Sequence, residues 1–358
     1  MKVAQLGCVL PLRDPIRFAE QTAALDVFSD GRAEIGISLG YQPREIKILG
    51  PNYSTVMDNE KNRMMHEENL EILLKAWTED VMSYDGKWST LPPSYTKWHH
   101  RMTKDYFDDE VSEYDSEEIL HWQEGDMYDG SPHPAVAGGT KLKKFSVFPQ
   151  PLQDPYPQIW QPIFSPQSAS WVTQQGFNTA AIGVPPDMAP EFMDVYYDAA
   201  EEAGWPHRLD EHDGEPLKYG WDEEKDRGFA YISYFFNTDV HDDETFERWK
   251  RGMEHTNSHY SNFALAGMLA DLLGGEPGDY INNVVTIDEI HEAEMAFAGD
   301  TEELTDQILS IGEQCGYEDF HLGLAFEAGG LTAEEENEQL EHFMEHIAPT
   351  LEEKYPGA

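Results

Sequence analysis

The order of strand-like and helix-like segments is the feature that most constrains the fold of this 358-residue chain. Helical periodicity separates most of the β-branched, apolar segments, and strands that alternate with helices form parallel sheets. The pattern therefore predicts a doubly wound sheet or a (β/α) barrel. The predicted strands number six, two fewer than a closed TIM barrel requires: Val3–Leu10, Ala33–Ser38, Gln158–Ile163, Thr179–Gly183, Gly228–Phe236 and His321–Ala325.

Several predicted helices carry capping residues at their starts. Asp14 precedes Pro15, Asp300 stands three residues before Glu303, and Thr332 and Glu335 have the spacing of a capping box. A further helix is predicted over 288–297. On the helix that follows Asp300 the inward residues are expected to be Leu304, Ile308 and Ile311, and on the last helix Leu340, Phe343, Met344, Ile347 and Leu351.

Two acidic segments interrupt the alternation, at about 79–144 and 205–227. The first mixes acids with Trp88, Trp98 and Trp122, which makes it too apolar for a linker, and a short helix is predicted near 116–122. Both segments are interpreted as insertions, so residues 1–358 are expected to form a single domain.

Charge is the dominant feature of the composition. The chain has 69 acidic and 24 basic side chains, a formal net charge of −45. The acids are spread through every segment together with aromatic residues, which favours a halophilic surface over an acidic tail or disorder. This charge repels phosphate backbones and anionic lipids, so the expected partners are small molecules and other subunits rather than nucleic acid or membrane. The N-terminal residues lack the pattern of a signal peptide, and a cytoplasmic location is expected.

Cysteine and histidine offer little for a metal or redox site. Cys8 and Cys315 are the two cysteines, without C-x-x-C spacing, and are expected to be structural. His99 and His100 are adjacent and would point apart in a strand or loop. No metal is therefore predicted.

One ordered set of motifs spans nearly fifty residues at the N-terminus. Leu10-Pro11 ends the first strand, Asp14-Pro15 starts the first helix, 25–32 reads LDVFSDGR, and 38–41 reads SLGY after the second strand. This order resembles the bacterial luciferase-like family of flavin-dependent monooxygenases. The segments PLQDPYPQIWQPIFSPQSASWVTQQG and AGDTEELTDQI are similar to the family's later motifs.

The resemblance implies a TIM (β/α)8-type barrel in which this chain supplies six of eight strands, because its first strand looks like the family's third. It implies a monooxygenase that uses reduced flavin (FMN) and dioxygen on a small organic substrate, with a separate flavin reductase and a homo- or heterodimeric assembly. Two alternatives stay open. One is a deazaflavin-dependent hydride-transfer enzyme of the same superfamily, and the other is a non-catalytic subunit of a heteromeric enzyme.

The resemblance also indicates where a cofactor would bind. Hydroxyl and backbone N–H donors at a helix start suit a flavin phosphate, and Ser165, Gln167 and Ser168 lie there; Ser168 is expected as a helix N-cap. The turn Ser38, Leu39, Gly40 and Tyr41 follows a strand, where barrel enzymes keep their sites. The family often has Arg where Leu39 stands.

Other candidates are weaker. Segment 274–280 is a candidate lid, Glu327 is interpreted as a solvated acid, and Arg44 and Glu45 as an ion pair. No catalytic residue is assigned.

Overall fold

The computed structural model describes residues 2–40, 48, 59–93, 96–98, 120–121, 140–163, 166–183, 185–203, 228–260, 270, 274–276, 278–279, 286, 288–289, 296–315, 320–326 and 329–354. Contacts within the chain group into two compact units. The first contains residues 1–3, 9–33 and 49–157, and the second contains 4–8, 34–48 and 158–358. Each is described below by itself.

The strands in chain order are β1 (Val3–Val9), β2 (Ala33–Ser38), β3 (Tyr84–Asp85), β4 (Thr90–Leu91), β5 (Lys97–Trp98), β6 (Leu120–His121), β7 (Thr140–Leu142), β8 (Ile159–Ile163), β9 (Asn178–Ile182), β10 (Phe229–Asn237), β11 (Ala296–Gly299) and β12 (Phe320–Ala325). The helices are α1 (Pro15–Ser29), α2 (Asn59–Thr78), α3 (Pro166–Gln174), α4 (Ala189–Ala203), α5 (Asp243–Tyr260), α6 (Thr301–Cys315), α7 (Ala333–His342) and α8 (Ala348–Lys354). Short 3-10 turns cover Leu10–Leu12 and Pro186–Met188, and a π-helical turn covers Phe343–Ile347.

The second unit is built on a seven-stranded sheet with the order β1-β2-β8-β9-β10-β11, in which β12 also pairs with β10. The registered pairs from β2 to β12 are parallel. β12 runs along Phe229–Tyr234 of β10, and β11 pairs with Tyr234–Asn237 of the same strand. All six predicted strands are confirmed in position.

The sheet is curled rather than flat. The rings of Trp160 on β8 and His321 on β12 are 5.9 Å apart in an edge-on contact, although two strands lie between them. Three strand spacings in a flat sheet would separate these positions by roughly 14 Å. The face that carries Trp160 is therefore concave, and the parallel, curled arrangement confirms a TIM-type barrel architecture. The sheet has seven strands rather than the six expected, because β11 was not predicted as a strand.

The convex face of the sheet is buried from solvent. Its side chains alternate with those of the concave face and are almost fully buried: Ala33, Ile35, Ile37, Ile159, Ile163, Thr179, Ala181, Phe229 and Tyr231. The concave face holds a smaller cluster of Trp160, Ala180 and Ala230, with Ile182 and Ile232 only partly buried against it. The indole Nε1 of Trp160 donates to Glu34 Oε2 at 2.6 Å. A buried carboxylate thus lies in the amino-terminal half of the concave face.

The first predicted strand differs from expectation in its burial. We expected a buried strand over Val3–Leu10, but Val3 and Leu6 are 40% and 39% exposed and Leu10 belongs to the following 3-10 turn. The reason is its place in the strand order, because β1 lies at the end of the sheet and, among the described strands, pairs only with β2. An apolar strand sequence does not distinguish an end position from a central one.

Two predicted helices differ from the structure in part of their described residues. In the helix predicted over 288–297, Asp288 and Glu289 are helical, but the end is wrong. Ala296 and Phe297 were predicted to end a helix, but they begin β11, where their backbone pairs with β10. Leu120 and His121, in the predicted helix near 116–122, form β6. Tertiary strand pairing overrides local helical pattern at both places.

The C-terminal helices confirm the caps and only part of the core stripe. Thr332 and Glu335 form a capping box at the start of α7, and Leu304, Ile308 and Ile311 of α6 are buried. Ile347 is fully buried, whereas Leu340 is 43% and Met344 55% exposed, so these two are wrong as core residues. The π turn that starts at Phe343 shifts the helical phase, which a constant period of 3.6 residues cannot anticipate.

The first unit is organised around α1 and α2. Asp14 caps α1 by accepting from the Arg17 backbone N–H at 2.9 Å, as predicted. Asn69 on α2 donates to the Leu10 carbonyl at 3.1 Å, and Trp77 Nε1 donates to the Ala19 carbonyl at 3.3 Å. These bonds tie the two helices together through their buried faces.

Hydrogen bonds of this unit also hold the two ends of the first insertion at Met82 and Phe145, a region here called the neck. Met82 and Phe145 exchange backbone hydrogen bonds of 2.9 and 3.0 Å. The carboxylate of Glu68 accepts from the backbone N–H groups of Lys87, Trp88 and Ser89. Beyond the neck, the fully buried Asp26 accepts from the backbone of Leu152 and from both the backbone and side chain of Gln153. Of the second insertion, 205–227, nothing lies within the described residues.

Candidate functional site

The carboxyl ends of the strands meet at one edge of the sheet, which is where functional residues of parallel barrels lie. β2 ends at Ser38, whose hydroxyl donates to the Gly7 carbonyl at 3.1 Å. Leu39 is half-buried, and Gly40 has a φ of 77°, a left-handed conformation that favours glycine. Residues 38–40 therefore lie at the carboxyl edge of the sheet, while Tyr41 lies outside the described residues.

The start of α3 follows β8 at the same edge. The helix begins at Pro166, so Ser168 lies in its first turn and is not the N-cap that we expected. Proline is favoured at a first helical position because its missing N–H would have no partner within the helix. Ser165, which precedes the helix, lies outside the described residues; the backbone of Gln167 belongs to α3, and its side chain is not described.

The sheet register brings these two predicted segments to adjoining strands. Gly36 of β2 pairs with Trp160 of β8 in a parallel ladder, so Ser38 lies beside the last residues of β8. The first-turn N–H groups of α3 point back toward this edge, and the helix dipole places partial positive charge there. Sequence positions about 125 residues apart thus form one polar edge.

A second feature of the edge follows β10 and β11. A shallow pocket of about 420 Å³ is lined by four carboxylates and two hydroxyls: Asp239, Asp300, Thr301, Glu302, Thr305 and Asp306. Its charge disfavours a phosphate and favours a cationic ligand. The pocket is therefore not a site for the phosphate of a flavin.

Thr301 is the centre of a hydrogen-bond network in this pocket. Its backbone N–H and its hydroxyl both donate to Asp239 Oδ2, at 3.0 and 2.7 Å. Asn237 Nδ2 donates to the same hydroxyl oxygen at 3.0 Å, and His342 Nε2 lies 2.9 Å from it. The end of β10, the start of α6 and the end of α7 are joined through one threonine.

Two pKa values in the network are shifted. The backbone N–H of Thr301, together with its hydroxyl, holds the pKa of Asp239 below its usual value, because both bonds favour the ionised carboxylate. Burial lowers the pKa of His342, and the neighbouring His346 lowers it further. Asp239 is therefore ionised and His342 neutral near pH 7.

The sequence pattern did not indicate the network around Thr301, because its members lie far apart in the chain. The cap formed by Asp300 and Glu303 was found, and its two bonds of 2.9 and 3.1 Å are present. Asp239, Thr301 and His342 were missed because 41 to 62 residues separate the bonded pairs and no local pattern links them. The one available signal was the i, i+4 pair His342 and His346 on the last helix.

The remaining candidates divide between described and undescribed residues. Glu327, Arg44, Glu45, His99 and His100 lie outside the described residues. Cys8 is buried in β1. The lid suggested for 274–280 stays a prediction; there, the Glu276 backbone N–H donates to Asp279 Oδ2 at 3.0 Å.

In the described part of the chain, no group of three or more His, Cys, Asp or Glu residues has a geometry suited to a metal ion. Among the same residues, no helix combines the length and apolar character needed to cross a bilayer.

Comparison with known sequences confirms the resemblance in the N-terminal part. Residues 1–102 match the sequence model of the family described as luciferase-like monooxygenase. An uncharacterized protein of Sinorhizobium fredii is 32% identical over 87 residues, which cover 24% of this chain and 23% of that protein. An uncharacterized protein of Mycobacterium bovis is 32% identical over 82 residues, 23% of this chain and 27% of that protein. The aligned region thus spans about a quarter of these relatives' length.

Solved structures extend the similarity of fold to the whole chain. The oxygenating constituent of 3,6-diketocamphane monooxygenase from Pseudomonas putida, in complex with FMN, has a TM-score of 0.59 at 18% identity, covering 98% of this chain and 79% of that one. An F420-dependent secondary alcohol dehydrogenase has a TM-score of 0.53 at 13% identity, covering 97% and 79%. The chain therefore has the barrel fold of the luciferase-like proteins.

Proposed function

We propose that this chain, which resembles the luciferase-like monooxygenases, acts as a flavin-dependent oxidoreductase. The phosphate end of the flavin would bind at the carboxyl edge of the sheet, between the turn after β2 and the start of α3. The observation that carries the proposal is the composition of α3. In a chain with 69 acidic residues, PQSASWVTQ carries no charge, and no acid lies in its first turn to compete with a phosphate.

The residues at this edge fit a flavin phosphate. The first-turn N–H groups of α3 and the Ser168 hydroxyl are donors, and a helix start favours an anion. The partly buried Ile182 and Ile232 on the concave face suit an apolar ring system. Leu39 contributes no charge, so the phosphate would be held by the helix start and hydroxyl rather than by an ion pair, and the affinity should be modest.

The proposed reaction is the oxygenation of a small organic substrate. Bound reduced flavin supplies the electrons for the reduction of dioxygen. The chain's own residues would orient the ring against the concave face and exclude water from it. A separate flavin reductase, a homo- or heterodimeric assembly and a salt-rich cytoplasmic setting belong to the proposal as well.

A deazaflavin-dependent hydride-transfer reaction is the second candidate. The similar fold of the F420-dependent alcohol dehydrogenase favours it. Oxygen consumption with reduced flavin would support the monooxygenase, while reduction of a deazaflavin by alcohols without oxygen uptake would support the dehydrogenase.

A non-catalytic subunit is the third candidate, and Leu39 is the residue that favours it. If neither cofactor turns over with this chain alone, but a paired chain gains activity when it is added, the subunit interpretation is correct.

The first experiment is a titration of FMN and of riboflavin, which lacks the phosphate, followed by flavin fluorescence in molar KCl. Ser168→Asp introduces a negative charge in the first turn of α3. We expect the affinity for FMN to fall roughly tenfold or more, because a charge-assisted hydrogen bond contributes ~1.5–3 kcal/mol. Riboflavin binding should not change.

Ser170→Asp is the matched control, because Ser170 lies on the same helix two residues beyond the proposed contact. It should leave both affinities nearly unchanged. Equal losses for FMN and riboflavin in the Ser168 variant, or no loss of FMN binding, would show that α3 does not hold the phosphate.

A further inference from the structure

Two histidines meet at the π-helical turn in the last helical segment. His342 ends α7, His346 lies within the turn Phe343–Ile347, and their ring centroids are 4.3 Å apart at an interplanar angle of 48°. π-Helical turns interrupt the regular backbone and occur frequently at functional sites. Two imidazole rings therefore lie close together at an interruption of the regular helix.

The hydrogen bonds of Thr301 determine the tautomer of His342. The Thr301 hydroxyl proton points to Asp239 Oδ2 at 2.7 Å, since an ionised carboxylate can only accept. The hydroxyl oxygen then accepts from Asn237 Nδ2 and from His342 Nε2. A neutral His342 consequently carries its proton on Nε2, and its Nδ1 has a lone pair.

This arrangement is that of a histidine prepared for metal binding. Histidines that bind metals usually donate their other ring N–H to an oxygen, which fixes the ring and the tautomer. Here Thr301 holds the ring, and Asp239 orients Thr301. Two ring nitrogens that share one metal at about 2.0–2.1 Å in tetrahedral geometry lie roughly 3.4 Å apart. The centroids of the two rings are 4.3 Å apart.

The surroundings also favour a dication. The carboxylate of Glu345 lies 3.9 Å from His346 Nε2, and the His346 side chain is 54% exposed, which leaves a route for an ion. The carboxylates of Asp239, Asp300, Glu302 and Asp306 line the adjacent pocket and would concentrate cations.

We propose that His342 and His346 bind a divalent transition-metal ion, with Nδ1 of His342 and one ring nitrogen of His346 as protein ligands and with water completing the shell. Imidazole ligands select Cu²⁺, Ni²⁺ and Zn²⁺ over Mg²⁺ and Ca²⁺. The site would be linked to the start of α6 and the end of β10 through the bonds of Thr301 to His342 and Asn237. Thr301 is a positioning residue for this site.

The chain offers a matched comparison for the test. His255 and His259 are two exposed histidines at the same i, i+4 spacing on α5, a regular α-helix. Spacing alone would make both pairs equivalent. The proposal assigns the tighter site to His342 and His346, because the Thr301 hydroxyl fixes the ring of His342.

The experiment is a calorimetric titration of the full chain, freed of metal by chelation, with NiCl2, ZnCl2 and CaCl2 in turn. We expect one tight equivalent of Ni²⁺ or Zn²⁺. His346→Gln should abolish this tight binding, and His259→Gln should preserve it. Thr301→Val should weaken it by roughly 10- to 100-fold, the usual effect of losing such a supporting hydrogen bond.

Several outcomes would overturn the proposal. Unchanged binding by His346→Gln, equal losses in the His346 and His259 variants, or equally tight binding of Ca²⁺ would each assign the ion elsewhere. Circular dichroism of metal-free His346→Gln should match the parent, since this side chain is half exposed. Ni²⁺ should raise the melting temperature of the parent and not that of His346→Gln, which separates a metal site from a structural role of the histidine.

Discussion

The two ends of the sheet edge differ in the charge that they present. At the start of α3 the helix is uncharged, whereas the first turn of α6 carries Glu302 and Glu303 beside Asp300. Both are helix starts after parallel strands, so they share the same dipole. In α6 the chain's own carboxylates satisfy that dipole, and in α3 it is left for another anion. In a strongly acidic chain, a helix start without acidic residues is therefore a better indicator of an anion site than a helix start with them is of any other site.

The strongest prediction concerns the melting temperature, which repulsion between the acidic side chains outside α3 should lower. With a net charge of −45, the melting temperature of the chain should rise steadily from low salt to molar KCl, because screening reduces self-repulsion. Differential scanning calorimetry measures this directly. A melting temperature that is constant or falls with KCl would contradict a halophilic surface.

The second prediction concerns the end of β10, beside the acidic pocket, where Gln339 bonds the backbone of Asn237. The fully buried Gln339 accepts from the Asn237 backbone N–H at 2.8 Å and donates to its carbonyl at 3.0 Å. Gln339→Leu removes both bonds and leaves the Asn237 carbonyl with a longer, 3.4 Å bond from the Val240 N–H, so urea unfolding should show a loss of about 2 kcal/mol. The same change at the exposed Gln314 of α6 should cost far less. Similar losses in both variants would mean that the pairing with Asn237 contributes nothing specific.

A smaller effect concerns pH. The pKa of Asp239 is lowered in the folded chain, so its contribution to stability is complete above the unfolded value of about 3.8 and is lost as pH falls through the folded pKa. Asp239→Asn should therefore lose stability less steeply than the parent below pH 4. Urea unfolding of the two proteins between pH 5 and pH 2.5 provides the comparison, and parallel curves would show that Thr301 does not favour the ionised carboxylate.

The smallest effect concerns one like-charge pair. Glu302 and Asp306 are exposed and four residues apart on α6, where like charges destabilise a helix by ~0.2–0.5 kcal/mol. Asp306→Asn should raise the melting temperature slightly at low salt and lose that advantage in molar KCl. Glu313→Gln on the same helix removes an ion pair with Lys354 and should act in the opposite direction. Equal signs would show that local charge does not decide the result.

Local sequence signals predicted the elements of this fold well. Asp14, Asp300 and Thr332 mark helix starts because each cap bonds within three residues, and the six strands follow from apolar runs. Burial depends on neighbours instead. Val3 and Leu6 look like core residues and are exposed because β1 ends the strand order, and Ala296 is a strand residue because β10 lies beside it.

The candidate site was predictable in part for the same reason. Ser38 ends a strand, Gly40 and Ser168 follow strands, and strand ends converge in any parallel sheet. The bonds of Thr301 to Asp239 and to His342 join three separate elements. A single sequence carries no signal for such a meeting.

The closed neck at Met82 and Phe145 has an evolutionary consequence. Backbone bonds between these residues fix the two ends of the long insertion. Glu68 holds residues 87–89 just inside it, and Asp26 holds residues 152 and 153 beyond it. Evolution can then lengthen, shorten or replace the intervening segment without changing the hydrogen bonds that hold its ends. Lineages that share this neck should diverge fastest between these two residues, and they should acquire new specificities there.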